Sequence, residues 1–463
     1  MLDGNWVDEY LTTGPGGVVC LDFDEPVSRA DLRGRVAARA AELAASGLNA
    51  GGAVSLRLPP GLTYVVNLLA AWRVGAQVSL LDHRLTQHEV DQALRRIAPQ
   101  LLVSTSDSSV GPLRGHTTTT AVTTAYPGRA AETGHALLQL SSGSTGPSKV
   151  IGRTVESLVA EVERYQRLDG VPQPGERVVL VASMVHVLGL VGGLLYGLHT
   201  GVRLVAPRFV SADTILAAVA GGDEPATIIG VPFHLEMLTT GTRPARPPQL
   251  KRMTVGGELV RPQLRQAFAD RYGVPLGNMY GMTEVGVIAT DLFGAHRPAL
   301  APAPGIAVRE QDGQVLVATE ATPYVGLSDP SRWVDGWLYT KDAGTVDPDS
   351  GLVTIHGRLD SQVSVGGLKV DLTEVEQTIA ALPGVVEVVV VHDRAIEAFV
   401  VLDDPDGAAK LRLALAERLA PYKRPRRVNV VARLPRTATG KLVRNPRALA
   451  EVDRLPLQAA TSG

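Results

Sequence analysis

The segment from Ser141 to Lys149 crowds hydroxyls and glycines around a single ammonium group. Glycines let backbone N–H groups approach an anion closely, while Ser, Thr and Lys side chains add donors. Ser141, Ser142, Gly143, Ser144, Thr145, Gly146 and Lys149 therefore suit a polyphosphate. The string is not a P-loop, which ends in Gly-Lys-Ser/Thr, because Lys149 stands between Ser148 and Val150. Turn chemistry selects the same residue types, so a surface turn is the competing reading of this loop taken alone. Other chemistries are disfavoured. The only cysteine, Cys20, cannot form an internal disulfide, and no Cys/His cluster has zinc spacing. A formal charge of -2 without a long basic run argues against nucleic acid or an acidic membrane as partner. An anionic ligand must be held by local groups.

The elements that position such a loop follow from length and pattern. A chain of 463 residues calls for at least two domains, and 45% hydrophobic with 20% charged residues is the balance of an ordinary globular protein. Strand-like Val/Ala/Leu runs alternate with amphipathic helical stretches: helix from Ala37 to Ala45, strand from Ala53, helix from Leu62 to Val74, strand from Gln77. This is the texture of an α/β domain with mainly parallel sheet. After Pro302 short strands with Gly and Pro punctuation predict a β-rich subdomain. From Asp360 a compact α+β unit follows, with helices from Leu372 and Ala408 and strands from Val385, Ala395 and Arg427. The expected domains are 1–359 and 360–463. Disorder is expected only at Thr117 to Thr124 and after Leu457. The apolar run from Val178 to Leu198 is long enough for a membrane span, but its β-rich first half and Gly/Leu-rich second half fit a buried strand leading to a buried helix. The acidic start lacks the features of a signal peptide, so a reducing cytoplasm is expected.

Four further motifs follow the loop in order: Asn278-Met-Tyr-Gly-Met-Thr-Glu284, Asp335-Gly-Trp-Leu-Tyr-Thr-Lys-Asp342, a segment from Gly357 to Glu376, and Leu434-Pro-Arg-Thr-Ala-Thr-Gly-Lys441. With the loop, this succession over nearly the whole chain resembles the adenylate-forming superfamily, which holds acyl-CoA ligases, adenylation domains of peptide synthetases and luciferases. The resemblance implies ATP and Mg²⁺ as cofactors. It implies that Tyr280, followed by Gly281, stacks on adenine, that Asn278 bonds its amino edge, that Thr283 meets the α-phosphate and that Glu284 holds Mg²⁺, a cation that prefers hard oxygen ligands. Read without the family, the Thr-Glu pair would more often cap a helix. Asp342 would accept both ribose hydroxyls, a two-oxygen acceptor for two adjacent donors. Lys341 stands where the family has Gly, which puts the local turn in question, since Gly there often marks positive φ.

The same resemblance puts Arg358 near ribose or phosphate, makes Asp360 the hinge of a mobile C-terminal domain, and lays Gly366 and Gly367 along a thiol channel. Ser364 and Leu372 depart from the family pattern there. The plain reading of that segment is a Gly-Gly hairpin followed by a helix capped at Thr373. Lys441 is implied as the catalytic ammonium that bridges carboxylate and α-phosphate. His186 lies where aryl- and acyl-CoA ligases carry His and amino-acid-activating relatives carry Asp. It cannot pair with a buried α-ammonium, so α-amino acids are disfavoured; its plain alternative is a core histidine. Val231, Pro232, Phe233, Thr254, Gly256, Gly257 and Met279 would line a pocket for an aryl or modest aliphatic acid.

The implied reaction converts a carboxylic acid and ATP to an acyl-adenylate and pyrophosphate, then passes the acyl group to the thiol of CoA. The alternative acceptor is phosphopantetheine on an acyl carrier protein. The Lys and Arg side chains from Leu419 to Arg427 could receive CoA phosphates, or form a solvated basic edge. A third reading, a nucleotide-binding protein without catalysis, is motivated by Ser148, Lys341 and Ser364.

Overall fold

The computed structural model describes residues 4–105, 116–141, 149–241, 246–260, 262–326, 330–359, 361–404, 407–435 and 442–452. The chain divides into two compact units. One holds Met1–His83, Arg96–Leu140 and Val150–Leu359, the other Arg84–Arg95, Ser141–Lys149 and Asp360–Gly463. Ser142, Gly143, Ser144, Thr145, Gly146, Asp360 and Lys441 lie outside the described residues, as does the side chain of Ser141.

Among the described residues the first unit is built on three sheets. The largest has nine strands, and its central six run parallel, from Leu276–Met282 through Leu250–Gly256, Ala226–Gly230, Arg177–Leu180 and Arg203–Val205 to Val19–Asp22. Strands with helices on both faces are mostly apolar, and every residue of Arg177–Leu180 and of Ala226–Gly230 is buried, the Arg177 guanidinium donating to the carbonyls of Ala218, Val219, Gly222 and Glu224. A second sheet has seven strands, with Gln77–Leu80, Ala53–Arg57 and Leu101–Thr105 parallel in its middle. The third, antiparallel, carries the long strand Trp337–Val346 between Gln314–Ala318 and Val353–Arg358.

Helix Arg29–Ala45 starts eight residues before its expected apolar stretch, because Ser28 accepts the Asp31 N–H as N-cap; Leu32, Val36, Ala40 and Leu43 then bury one face. The run Val178 to Leu198 is part of a buried strand, a π-helical segment Leu188–Leu195 and the start of helix Tyr196–Thr200. No helix among the described residues is long and apolar enough to cross a membrane. The Thr-rich stretch is ordered: Ala121–Ala125 pairs antiparallel with Leu101–Thr105.

In the second unit, hairpin strands Gln362–Val365 and Leu368–Asp371 precede helix Leu372–Ala380, and Val385–His392, Ile396–Leu402 and Arg427–Val430 form a small sheet against it. The helix is capped two residues earlier than expected. Asp371, not Thr373, is the N-cap, and its carboxylate accepts the Thr373 N–H at 2.7 Å. Glu376 instead accepts both terminal nitrogens of Arg444 at 2.6 Å.

Candidate active site

Strands Leu276–Met282, Leu250–Gly256, Ala226–Gly230 and Arg177–Leu180 are successive neighbours, so their carboxyl ends open on one edge of the sheet. Ligands of open α/β sheets bind at such edges. The segment Asn278 to Glu284 is a strand and turn, not a helix start. Asn278, Met279, Tyr280 and Gly281 lie on Leu276–Met282, and Thr283 and Glu284 lie in the turn to Gly286–Asp291.

Asp342 and Arg358 sit opposite each other on paired strands. Arg358 Nη1 donates to Asp342 Oδ1 at 2.9 Å, and the Tyr280 hydroxyl donates to Oδ2 at 2.7 Å. Burial, then the neighbouring carboxylate, raise the Tyr280 phenol well above its ordinary pKa, so it stays a donor. Each carboxylate oxygen has a second lone pair, so a ribose diol can still be accepted alongside these partners. Lys341 does adopt positive φ, at +64°, and its N–H is received by Gln314 Oε1 at 2.9 Å. The family's glycine position thus keeps its backbone conformation under a lysine.

The turn bearing Thr283 and Glu284 is secured from below by a buried carboxylate that sequence reasoning missed. Glu161 is fully buried, accepts the Val287 N–H at 3.2 Å and pairs with Arg153 at 2.9 Å. Burial raises its pKa against the opposing pull of Arg153. A Cβ at Gly286, which has φ of +91°, would come within 2.1 Å of this carboxyl group. Glu284 itself is nearly buried, and its Oε1 accepts the Tyr324 hydroxyl at 2.9 Å. No cluster of three or more His, Cys, Asp or Glu that could hold a metal occurs among the described residues. A single hard carboxylate nevertheless fits a Mg²⁺ whose other ligands are phosphate oxygens. Lys149 is buried at the start of strand Lys149–Arg153.

Where the resemblance implies an acyl pocket, His186 follows two residues whose carbonyls are held from the core: Tyr64 Oη donates to Met184 O at 2.8 Å and Gln139 Nε2 to Val185 O at 2.6 Å. Gly256 and Met279 are Cα partners on adjacent strands, and a Cβ at Gly256 would meet Met279 O at 2.8 Å. Thr254 is buried on the same strand, and Gly257 has φ of +92°. Val231 caps helix Pro232–Thr239, with His234 Nδ1 accepting its N–H at 3.1 Å. Burial holds His234 neutral, its pKa lowered to about 4. Phe233, on the first turn of that helix, is exposed.

In the second unit Gly366 and Gly367 form the hairpin turn, with φ of +57° and +82°. The basic segment near Leu419 is largely committed. Lys423 is buried 2.7 Å from Glu374 and 3.0 Å from Glu89. Burial works against its charge, but Glu374, Tyr422 and Glu89 outweigh it and raise its pKa. Arg424 donates to the carbonyls of Leu419 and Ala416.

Residues 8–327 match the model of the AMP-binding enzyme family, and residues 374–441 match that of the AMP-binding enzyme C-terminal domain. The chain belongs to the AMP-binding enzyme family. It is a member of the adenylate-forming superfamily. It is 26% identical over 339 residues to the 3-hydroxybenzoate–CoA/4-hydroxybenzoate–CoA ligase of Thauera aromatica, an alignment covering 65% of this chain and 64% of that protein. It is 30% identical to the p-hydroxybenzoic acid–AMP ligase of Mycobacterium tuberculosis, over 86% of this chain and 61% of that protein. The chain thus spans just under two thirds of the length of both relatives. Its fold is that of a double mutant of o-succinylbenzoate CoA synthetase from Bacillus subtilis, with a TM-score of 0.82 at 23% identity, covering 98% and 99% of the two chains.

Proposed function

We propose that this adenylate-forming enzyme activates an aryl or modest aliphatic acid and transfers it to the thiol of CoA. The observation that supports this reading best is the Asp342 carboxylate, oriented by the Arg358 guanidinium and the Tyr280 hydroxyl with lone pairs left to accept a ribose diol. A carboxylate oxygen of the acid attacks the α-phosphorus in line; the new P–O bond forms as the bond to the β-phosphate bridging oxygen breaks, and pyrophosphate leaves. Asn278 and Tyr280 hold adenine, Thr283 the α-phosphate, and Lys441 bridges the acid and the α-phosphate, offsetting charge at the five-coordinate centre. Ser141, Ser142, Gly143, Ser144, Thr145, Gly146 and Lys149 bind the departing phosphates. Glu284 would hold Mg²⁺, which would supply charge neutralisation on them. Rotation about Asp360 then brings Gly366 and Gly367 to the site. The thiolate attacks the acyl carbon, a C–S bond forms, and AMP departs.

The aryl preference draws on the hydroxybenzoate substrates named for the two relatives and on the presence of a histidine rather than an aspartate at position 186. Phosphopantetheine on a carrier protein is the second acceptor, favoured by one observation: Lys423 and Arg424 are already engaged, which takes two cations away from the phosphates of CoA. Acid-dependent exchange of pyrophosphate into ATP, run across aryl, aliphatic and amino acids, tests the first half-reaction. Preference for an α-amino acid would overturn the reading of His186. Adding CoA or a phosphopantetheinylated carrier to the accepted acid then separates the two acceptors by which one yields a thioester. Lys441→Ala should slow exchange by roughly 10²-fold while sparing thioester formation from pre-made adenylate.

A further inference from the structure

Glu284, Tyr324 and Arg332, from three strand systems, meet in one place. Tyr324 lies on Tyr324–Val325, which pairs with Val150 and Ile151 of the strand that follows the hydroxyl-rich loop. Arg332 ends a short turn leading into Trp333–Val334, the hairpin partner of Trp337–Val346. Arg332 Nη2 donates to the Tyr324 hydroxyl at 2.8 Å, and that hydroxyl donates to Glu284 Oε1 at 2.9 Å. The direction is forced, because a guanidinium can only donate; its N–H occupies a lone pair of the phenol oxygen and turns the phenol proton to the carboxylate. All three side chains are buried or nearly so.

A buried Arg and Glu ordinarily close on each other in a two-bond fork. Here they do not. Arg332 Nη2 stays 4.0 Å from Glu284 Oε1 with the phenol inserted between them, and Arg332 Nε is buried without a hydrogen-bond partner among the described residues. A guanidinium closed on Glu284 would cancel the charge that a divalent cation needs. One held at 4.0 Å still repels such a cation, but leaves Oε2 outside the chain of bonds.

We infer that Tyr324 is a positioning residue for Glu284, a spacer that stops Arg332 from closing on the carboxylate, and that Arg332 tempers the affinity of Glu284 for a divalent cation. The site then draws the cation weakly unless nucleotide phosphates bring their own negative charge. This rests on the reading that Glu284 receives the cation of ATP. The two residues therefore act with opposite sign. Loss of the phenol hydroxyl lets Arg332 close and weakens cation binding, whereas loss of the guanidinium charge strengthens it.

Mn²⁺ binding, followed by electron paramagnetic resonance with and without the α,β-methylene analogue of ATP, tests this without turnover, alongside the Mg²⁺ dependence of pyrophosphate exchange. Tyr324→Phe should raise the half-saturating metal concentration about tenfold. Arg332→Gln, which keeps a donor for the phenol, should lower it several-fold, most visibly without nucleotide. The double variant should return toward wild type, since the spacer has nothing left to hold off. Shifts of the same sign for both variants, or a Tyr324→Phe shift that survives in the double variant, would overturn the inference, as would equal falls in thermal midpoint with metal binding unmoved. Glu284→Gln separates the two levels: if it leaves Mn²⁺ affinity unchanged, the metal role of Glu284 fails, and with it the inference.

Discussion

On the proposed nucleotide side of the first unit, charged and polar side chains hold one another: Tyr280 and Arg358 on Asp342, Tyr324 on Glu284, Arg153 on Glu161. On the proposed acyl side, neutral groups hold the backbone instead. Tyr64 and Gln139 bond carbonyls, His234 receives an N–H, and Gly256 lets two strands approach. Each arrangement suits the guest proposed for it. Phosphates and a ribose would be met by pre-oriented charge, whereas an acyl group would need a shaped cavity without unpaired charge, since an uncompensated ion in it would be costly to desolvate. Substitutions that alter charge should therefore cost more on the first side, and protonation should matter most on the second.

The largest effect is expected from Glu161→Gln. It leaves Arg153 buried without its counter-charge, and breaking a buried pair in this way costs about 3–5 kcal/mol. Denaturant unfolding should register the loss; a change below about 1 kcal/mol would mean that the carboxylate is not acting as an ion, in line with the upward push of burial on its pKa. Next is the acyl side's response to acid. The folded-state pKa of His234 lies below its unfolded value, so its contribution is complete above about pH 6.5 and fades as pH falls toward 4, up to about 3 kcal/mol in all. Comparing wild type with His234→Gln across that window should flatten part of the acid dependence; identical profiles would remove the histidine from the account.

Asp342→Asn keeps the shape but leaves Arg358 facing a neutral amide. The KM for ATP should rise about 10- to 100-fold, the range for loss of a charge-assisted bond, with little change in the KM for the acid. A parallel rise in both would mean that the carboxylate supports the whole cleft. The smallest effect is a gain: Lys341→Gly relieves a left-handed lysine and should stabilise the fold by about 1 kcal/mol, less the entropy that glycine adds to the unfolded chain. Thermal melting reads it directly, and a loss would show that the Lys341 side chain contributes more than its backbone costs.

The departures from expectation share a cause. Helix Arg29–Ala45 began early because a cap at Ser28 decides a helix start and the apolar rhythm does not. The cap of helix Leu372–Ala380 moved to Asp371 because Glu376 was recruited by Arg444 and by the Val390 N–H, contacts 68 and 14 residues distant in sequence. Thr283-Glu284 suggested a helix start by local pattern, yet pairing of Leu276–Met282 with Gly286–Asp291 made it a hairpin turn.

The amino-acid sequence by itself determined the alternation of strands and helices, the β-rich texture after Pro302 and the order of the motifs, because periodicity and turn chemistry are properties of neighbouring residues; it left the turn at Lys341 in question, and the structure shows its positive φ. Only the tertiary structure decided what each motif residue faces. Glu161 and Val287 are 126 residues apart, and Tyr280 and Asp342 are 62 apart. Neither Tyr324 nor Arg332 carries a local signal, since each is an unremarkable residue near a turn. Their meaning arises when separate strands bring a phenol, a guanidinium and a carboxylate into one place with little water, where the order of donors and acceptors sets which oxygen is spoken for.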